Sequence, residues 1–237
     1  MGGKGKIGKK IASFLNARIA AGNHTTYWEP FVGSCWVMQH IEAEKRLGSD
    51  ISEPLISLWA ALQNGWIPPE EVDETLYKAA KDGKVYSKME AFIGYGCSWG
   101  GKWFGGYAKV TPGKRYNDDS YAKVAKRSLL KKLPFVEDVE FFIGHYDEGD
   151  PPKGSLVYAD PPYAGTTGYS YAPNFDHDYF WEVMRKWSAV AEVYISEYSA
   201  PADFRCVLEI PTTTDMRTKD AGGKEPRIER LFTWRKP

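Results

Sequence analysis

Apolar positions recur along this chain with two different spacings, and the changes of spacing mark its elements. Between Lys9 and Ala21, Ile11, Leu15 and Ile19 share one helical face and Gly22 follows as a stop, which predicts an amphipathic helix. Thr25 to Trp28 is rich in β-formers and predicts a short strand closing on Glu29, Pro30 and Gly33. A helix is expected from about Ser34, carrying Val37 and Ile41. "KRLGSDI" predicts a second strand ending at Asp50. Ser52 to Gly65 returns to helical spacing, with Leu55, Leu58, Trp59 and Leu62 facing a core.

The middle of the chain has another character. "IPPEEVDETLYKAAKDGK" predicts a helix with prolines at its start, acids in its first turn and Gly83 at its end. "SKMEAFIGYG" predicts another, and the glycine- and aromatic-rich "CSWGGKWFGGYAKVTPGKRYNDDS" reads as a loop. Tyr121 to Leu133 predicts a basic helix with Val124, Leu129 and Leu133 inside. Strands return at Val139–Gly144 and Ser155–Ala159, a helix follows over Tyr179–Val190, and "EVYIS", "FRCVLEI" and "IERLFTW" are strand-like. Strands alternating with helices predict an α/β fold with a parallel sheet, and the last two strands, with no helix between them, an antiparallel pair. Residues 66–134 interrupt the alternation and read as an insertion.

A chain of 237 residues can bury a sizeable core as one domain with such an insertion. Its formal net charge of zero excludes a global basic field, so any nucleic-acid surface must be local. With 9 Trp, 15 Tyr and 11 Phe, aromatic side chains remain for stacking once the core is filled. Cys35, Cys97 and Cys206 are far apart and form no Cys/His cluster, so neither a zinc site nor a disulfide framework is expected. The basic start "MGGKGKIGKK" leads into no signal-peptide core and no run is long enough to span a membrane, so the cytoplasm is the expected compartment.

Ligands of open α/β sheets bind beyond the carboxyl ends of the strands, and three strand ends here carry unusual residues. Glu29-Pro30-Phe31-Val32-Gly33 follows the first strand, and Asp50 lies about 20 residues further on, where an acid can accept both hydroxyls of a nucleoside ribose. The GxGxxG pattern is absent; a tight turn followed by a helix-capping acid is the competing reading. After "SLVYA" come Asp160, Pro161, Pro162 and Tyr163. The prolines remove two N–H donors and fix two φ angles, leaving acceptors alone beside a carboxylate, which suits an amine with protons to give. Tyr163 offers a flat face, and stacking is worth roughly 1–3 kcal/mol per base. A strand terminator with Asp160 as a helix cap is the alternative for an isolated DPP triplet.

Taken in order, "GGK" (Gly2-Gly3-Lys4), "EPFVG" (Glu29–Gly33), "SDISEPLISLW" (Ser49–Trp59), "DPPY" (Asp160–Tyr163) and "GGKEPRIERLF" (Gly222–Phe232) resemble the Dam-type adenine-specific DNA methyltransferases. That resemblance implies a Rossmann-like methyltransferase sheet with a terminal antiparallel strand, formed by residues 1–65 and 135–237, and a small, mostly helical target-recognition insertion at 66–134. It implies S-adenosylmethionine as cofactor, double-stranded DNA as partner and no metal. A flipped adenine would present its exocyclic amine to Asp160 and Pro161, with Pro162 and Tyr163 completing the catalytic motif. Asp50 would hold the cofactor ribose with Ile51 beside it, Glu29, Pro30, Phe31 and Gly33 would line the methionine end, and Lys4 and Asp160 would border cofactor and target base. The chain departs from the family in lacking a Trp before "GGK", in having Cys35, and in placing His145-Tyr146 where an acid is common; Asp147 is a candidate substitute, with a solvated loop acid as the favoured alternative.

Phosphate contacts are expected from local clusters. Lys4, Lys6, Lys9 and Lys10 form one; Lys123, Lys126, Arg127, Lys131 and Lys132 form a second, with a solvated helix face as the bland alternative. Lys102 and Trp103, with Trp99, Phe104 and Tyr107, could stack on bases or pack the loop, and Lys219, Lys224 and Arg227 lie in a polar segment. Two other functions stay open from the residues: methylation of another planar amine, on RNA or protein glutamine, and a non-catalytic nucleic-acid-binding module.

Overall fold

In the computed structural model, which describes residues 4–109, 119–164, 175–213 and 226–235, seven strands form one mixed sheet. Helix α1 (Gly8–Gly22) leads into β1 (Thr26–Glu29) and β2 (Lys45–Asp50), and α2 (Glu53–Gln63) follows. Three helices come next: α3 (Glu74–Lys81), α4 (Ser87–Gly96) and α5 (Tyr121–Lys132). The second half runs β3 (Glu140–Ile143), β4 (Leu156–Ala159), α6 (His177–Ser188), β5 (Glu192–Glu197), β6 (Phe204–Thr213) and β7 (Pro226–Trp234). The strand order is β3-β2-β1-β4-β5-β7-β6. The pairs β3–β2, β2–β1, β1–β4 and β4–β5 are parallel; β7 is antiparallel to both β5 and β6, the reversed strand pair that the sequence predicts.

Alternation along the central strands feeds two cores, one on each face of the sheet. Tyr27, Leu156, Tyr158, Tyr194 and Leu231 point into one core with α1, α2 and α4, while Trp28, Val157, Ala159, Val193, Ile195 and Phe232 point into the other with α6. β4 is buried along its whole length because helices cover both faces, which is why "LVYA" is apolar without alternation. On α1, Ile11 and Leu15 have no solvent exposure; burying a side chain of that size is worth roughly 1.5–3 kcal/mol. The first turn of α1 lies so close to the Trp36 peptide that a Cβ on Gly8 would fall 2.3 Å from the Trp36 carbonyl oxygen, so only glycine fits there.

Two expected elements differ. No helix starts near Ser34, because Gly33 (φ 50°) and Cys35 (φ 56°) are left-handed, and only a short 3-10 turn at Met38–His40 follows. The helix after "IPPEE" begins at Glu74, where the Asp73 carboxylate accepts the Leu76 N–H at 2.7 Å; this cap, and not the prolines, sets its start. Helices α3, α4 and α5 cover the region read as an insertion, and Phe92, Ile93 and Leu129 share the core that contains Ile11 and Tyr158.

Candidate active site

Strand order reverses between β1 and β4, so the crevice beyond their carboxyl ends is the place where an open α/β sheet takes a ligand. The three acids read from the sequence converge there: Glu29 ends β1, Asp50 ends β2, and Asp160 follows β4. One cleft is lined by Lys4, Glu29, Pro30, Phe31, Gly33, Asp50 and Ile51 together with Asp160 and Pro162. Every cofactor residue proposed from the sequence is therefore on its wall. Pro161 is buried behind it. Trp36, Tyr95, Tyr146 and Phe175 also line the cleft and were not singled out as ligands by the sequence. For Trp36, Tyr95 and Phe175 the signal was aromatic content alone, which does not say which rings face a cavity.

The turn after β1 shapes the side of the cleft nearest Asp50. Gly33, left-handed at φ 50°, donates its N–H to Asp50 Oδ2 at 3.1 Å, and Ser52 donates to Oδ1 at 3.0 Å. Trp59 Nε1 holds the Gly33 carbonyl at 3.0 Å. Burial pushes the Asp50 carboxyl upward, and the backbone N–H groups of Ser52, Gly33 and Ile51 oppose it by favouring the anion. The carboxylate is thus oriented by backbone donors on both oxygens and retains acceptor capacity for a hydroxyl of a ligand.

Deeper in the cleft, Glu29 is 3% exposed and accepts the Tyr27 O–H at 2.6 Å. Burial, with the nearby Asp160 charge, pushes its carboxyl up to about 8, so it is protonated at neutral pH. Asp160 forms an ion pair with Lys4 Nζ at 3.0 Å, and the same ammonium lies 2.9 Å from Glu229 Oε1 on β7. Burial raises the Asp160 carboxyl while Lys4 pulls it back. For Lys4, burial opposes the charge but Asp160 and Glu229 outweigh it, so its pKa is raised. Lys4 donates to the Tyr163 hydroxyl, and that hydroxyl donates to Glu229. The Tyr163 ring meets the Tyr198 ring edge-on at 4.7 Å between centroids, with Lys4 Nζ 4.5 Å from its own centroid. Glu197, at the end of β5, accepts the N–H groups of Ala164 at 2.7 Å and Tyr198 at 2.6 Å, so it pins the backbone just after "DPPY".

The segment after β3 supplies an aromatic wall to the cleft. Tyr146 packs against Phe31 at 5.3 Å and Phe180 at 5.6 Å between centroids. His145 stacks on Tyr146 and is bonded through Nδ1 to Asp147, so Asp147 is a partnered acid and not a free loop charge. On the opposite side, Trp36 stands against the N-terminal segment: a Cβ on Gly5 would lie 3.3 Å from its ring. Lys132, counted in the sequence among the phosphate-facing cations of α5, turns inward instead. It donates to the Ser34 carbonyl at 2.7 Å and lies 3.5 Å over the Trp36 ring, and burial lowers its pKa to about 8.

Three other basic residues of α5 form ion pairs at its outer face. Lys123 and Arg127 share Asp119 at 3.3 and 2.6 Å, and Lys126 pairs with Glu70 at 2.9 Å. Such exposed pairs are worth about 0–1 kcal/mol and exchange readily for phosphate. Lys102 is exposed, whereas Trp103 packs over Gly94 and against Tyr95 at 4.7 Å between centroids, the loop-packing alternative of the sequence reading. Lys224 lies outside the described residues; Arg227 stands opposite Thr212 in the β6–β7 ladder. Among the described residues no helix is long and apolar enough to cross a membrane, and no group of His, Cys, Asp and Glu could hold a metal ion.

Comparison with known proteins bears on the first part of the chain. No curated protein matches it. Among solved structures, a candidate RNA methyltransferase from Pyrococcus horikoshii is similar at 10% identity and a TM-score of 0.41, covering 94% of this chain and 83% of that one. A Thermoplasma acidophilum protein is similar at 10% identity and a TM-score of 0.43, covering 99% and 98%. Residues 1–93 match the family of D12 class N6 adenine-specific DNA methyltransferases, a span that holds Lys4, Glu29–Gly33 and Asp50. The match is to the first part of the chain alone: it takes in β1, β2, α2 and α3 and ends inside α4.

Proposed function

We propose that this protein transfers a methyl group from S-adenosylmethionine to the exocyclic amine of an adenine flipped out of double-stranded DNA, directly and in line. The observation that carries the reading is the convergence of Asp160 with Asp50 and Glu29 in one cleft at the β1/β4 reversal.

Asp50, with both oxygens already oriented by backbone N–H groups, would hold the two ribose hydroxyls of the cofactor. Phe31, Tyr146 and Ile51 provide apolar surface for its flat base, and Glu29, Pro30 and Gly33 border its methionine end. The donor's sulfonium is a cation, and the cleft suits it: Asp160 and Glu229 outnumber Lys4 by one charge while Glu29 stays neutral.

The reacting amine is a poor nucleophile because its lone pair is delocalised into the purine ring. Asp160 accepts one of its N–H groups and the Pro161 carbonyl the other, which localises the lone pair and directs it at the methyl carbon. As the nitrogen–carbon bond forms and the carbon–sulfur pair stays on sulfur, the nitrogen sheds a proton to the Asp160 carboxylate. Burial raises the proton affinity of that group. Alignment of the two reactants supplies most of the acceleration. Tyr163 supports the pocket through the bonds that hold its ring.

Residues 66–134 serve as the target-recognition insertion, with 1–65 and 135–237 as the catalytic body. Lys123, Lys126 and Arg127 meet phosphates by exchanging their carboxylate partners; Lys102, Lys224 and Arg227 are assigned to the same contact from the sequence.

The test is Asp160→Ala. Methyl transfer to DNA should fall by about 10²-fold or more while S-adenosylmethionine still binds in calorimetry. Full activity in that variant would refute the assignment, and methyl label found only in RNA or protein after digestion to nucleosides and amino acids would refute the substrate.

A further inference from the structure

We propose that Glu229 is a positioning residue of this site, acting through Lys4: it is the second carboxylate on the buried ammonium, and it keeps that ammonium in place when Asp160 turns its acceptors to the substrate amine. The inference rests on the role given to Asp160 above.

Lys4 and Glu229 are 9% and 5% exposed, so neither charge can fall back on solvent. An ammonium has three protons, and three acceptors surround this one: Asp160 Oδ1 at 3.0 Å, Glu229 Oε1 at 2.9 Å and the Tyr163 hydroxyl. If Asp160 were its sole counter-ion, each commitment of Asp160 to a substrate amine would strand a buried cation, which is strongly unfavourable. Glu229 removes that conflict. Because Tyr163 accepts from Lys4 and donates to Glu229, the same carboxylate also orients the last residue of "DPPY". A carboxylate on β7 thereby holds both the N-terminal segment and the loop after β4.

Other titratable groups face this cluster from each neighbouring strand. Glu29 on β1 and Tyr158 on β4 sense the Asp160 charge, and Glu197 on β5 and Tyr158 sense that of Glu229. The Glu229 charge also adds to the raised proton affinity of Asp160.

The experiment uses the full chain, DNA from a strain lacking adenine methylation, and S-adenosylmethionine tritiated in the methyl group. In Glu229→Gln, kcat should fall tenfold or more while S-adenosylmethionine affinity by calorimetry stays within threefold. The ascending limb of kcat against pH should move to lower pH, since loss of a neighbouring negative charge relaxes Asp160. Glu229→Asp, which keeps the charge, should recover part of kcat with the wild-type pH limb, and it carries the test if the Gln variant does not fold by circular dichroism. Wild-type kcat and pH profile in Glu229→Gln would overturn the inference, as would equal loss of kcat and cofactor affinity in both variants, which marks a packing role. Absence of label in adenine with the wild-type protein would instead overturn the role of Asp160, and this inference with it.

Discussion

Glu29→Gln probes the electrostatics of the cleft without removing its shape. The carboxyl is 3% exposed, accepts the Tyr27 O–H, and has its pKa raised from 4.5 to about 8. The folded protein therefore keeps a proton that the unfolded chain releases above about pH 4.5. For a carboxyl raised in this way, stability is highest below the unfolded pKa and is lost as pH rises towards the folded one. A displacement of this size corresponds to up to about 5 kcal/mol between pH 4.5 and pH 8. An amide cannot ionise, so Glu29→Gln should lose this slope. Its carbonyl can still accept from Tyr27, while its new N–H groups cost about 1–3 kcal/mol, independent of pH, if they find no acceptor. The assay is urea unfolding of both proteins at half-unit steps from pH 5 to pH 8.5. Asp50 and Glu197 are also raised and tilt both curves alike, so the difference reports Glu29 together with its coupling to Asp160. Relative to wild type, the variant should gain steadily with pH and level off above pH 8. Parallel curves would refute the reasoning, because they would mean that Glu29 titrates alike in the folded and unfolded protein.

Other outcomes follow from the same geometry. Asp50→Asn should weaken S-adenosylmethionine binding by at least tenfold in calorimetry, since charge-assisted hydrogen bonds are worth about 1.5–3 kcal/mol, and should cost about 1–3 kcal/mol of stability in thermal melts, because the amide nitrogen would face the N–H of Gly33 or of Ser52. Gly8→Ala should destabilise the fold by about 1–3 kcal/mol in thermal melts, because its Cβ would lie 2.3 Å from the Trp36 carbonyl oxygen. Replacing Lys123, Lys126 and Arg127 together by Ala should weaken DNA binding at all sequences and lower the slope of log affinity against log salt by up to about three; an unchanged slope would remove α5 from the DNA contact.

Sequence alone determined much of this protein. Helix α1 and β4 are legible because each is written locally, α1 in a helical period that matches one buried face and β4 in an unbroken apolar run that matches two. The acids at positions 29, 50 and 160 are legible because strand ends are local features and an open sheet gathers them at one edge. Local signals failed where backbone strain or long-range packing decided. The left-handed Gly33 and Cys35 cancelled the helix expected near Ser34, and the Asp73 cap overrode the prolines before it. Lys132 belongs to a basic run whose spread round α5 suggested an outward face, yet the Trp36 ring and Ser34 carbonyl draw it inside. Glu229 lies in "GGKEPRIERLF", but nothing in that segment marks it as a partner of Lys4. It reaches Lys4 and Tyr163 because β7 inserts antiparallel beside β5, a pairing between segments far apart in sequence. The composition of a strand records that it is buried, whereas the neighbour it chooses is decided by the packing of the whole sheet.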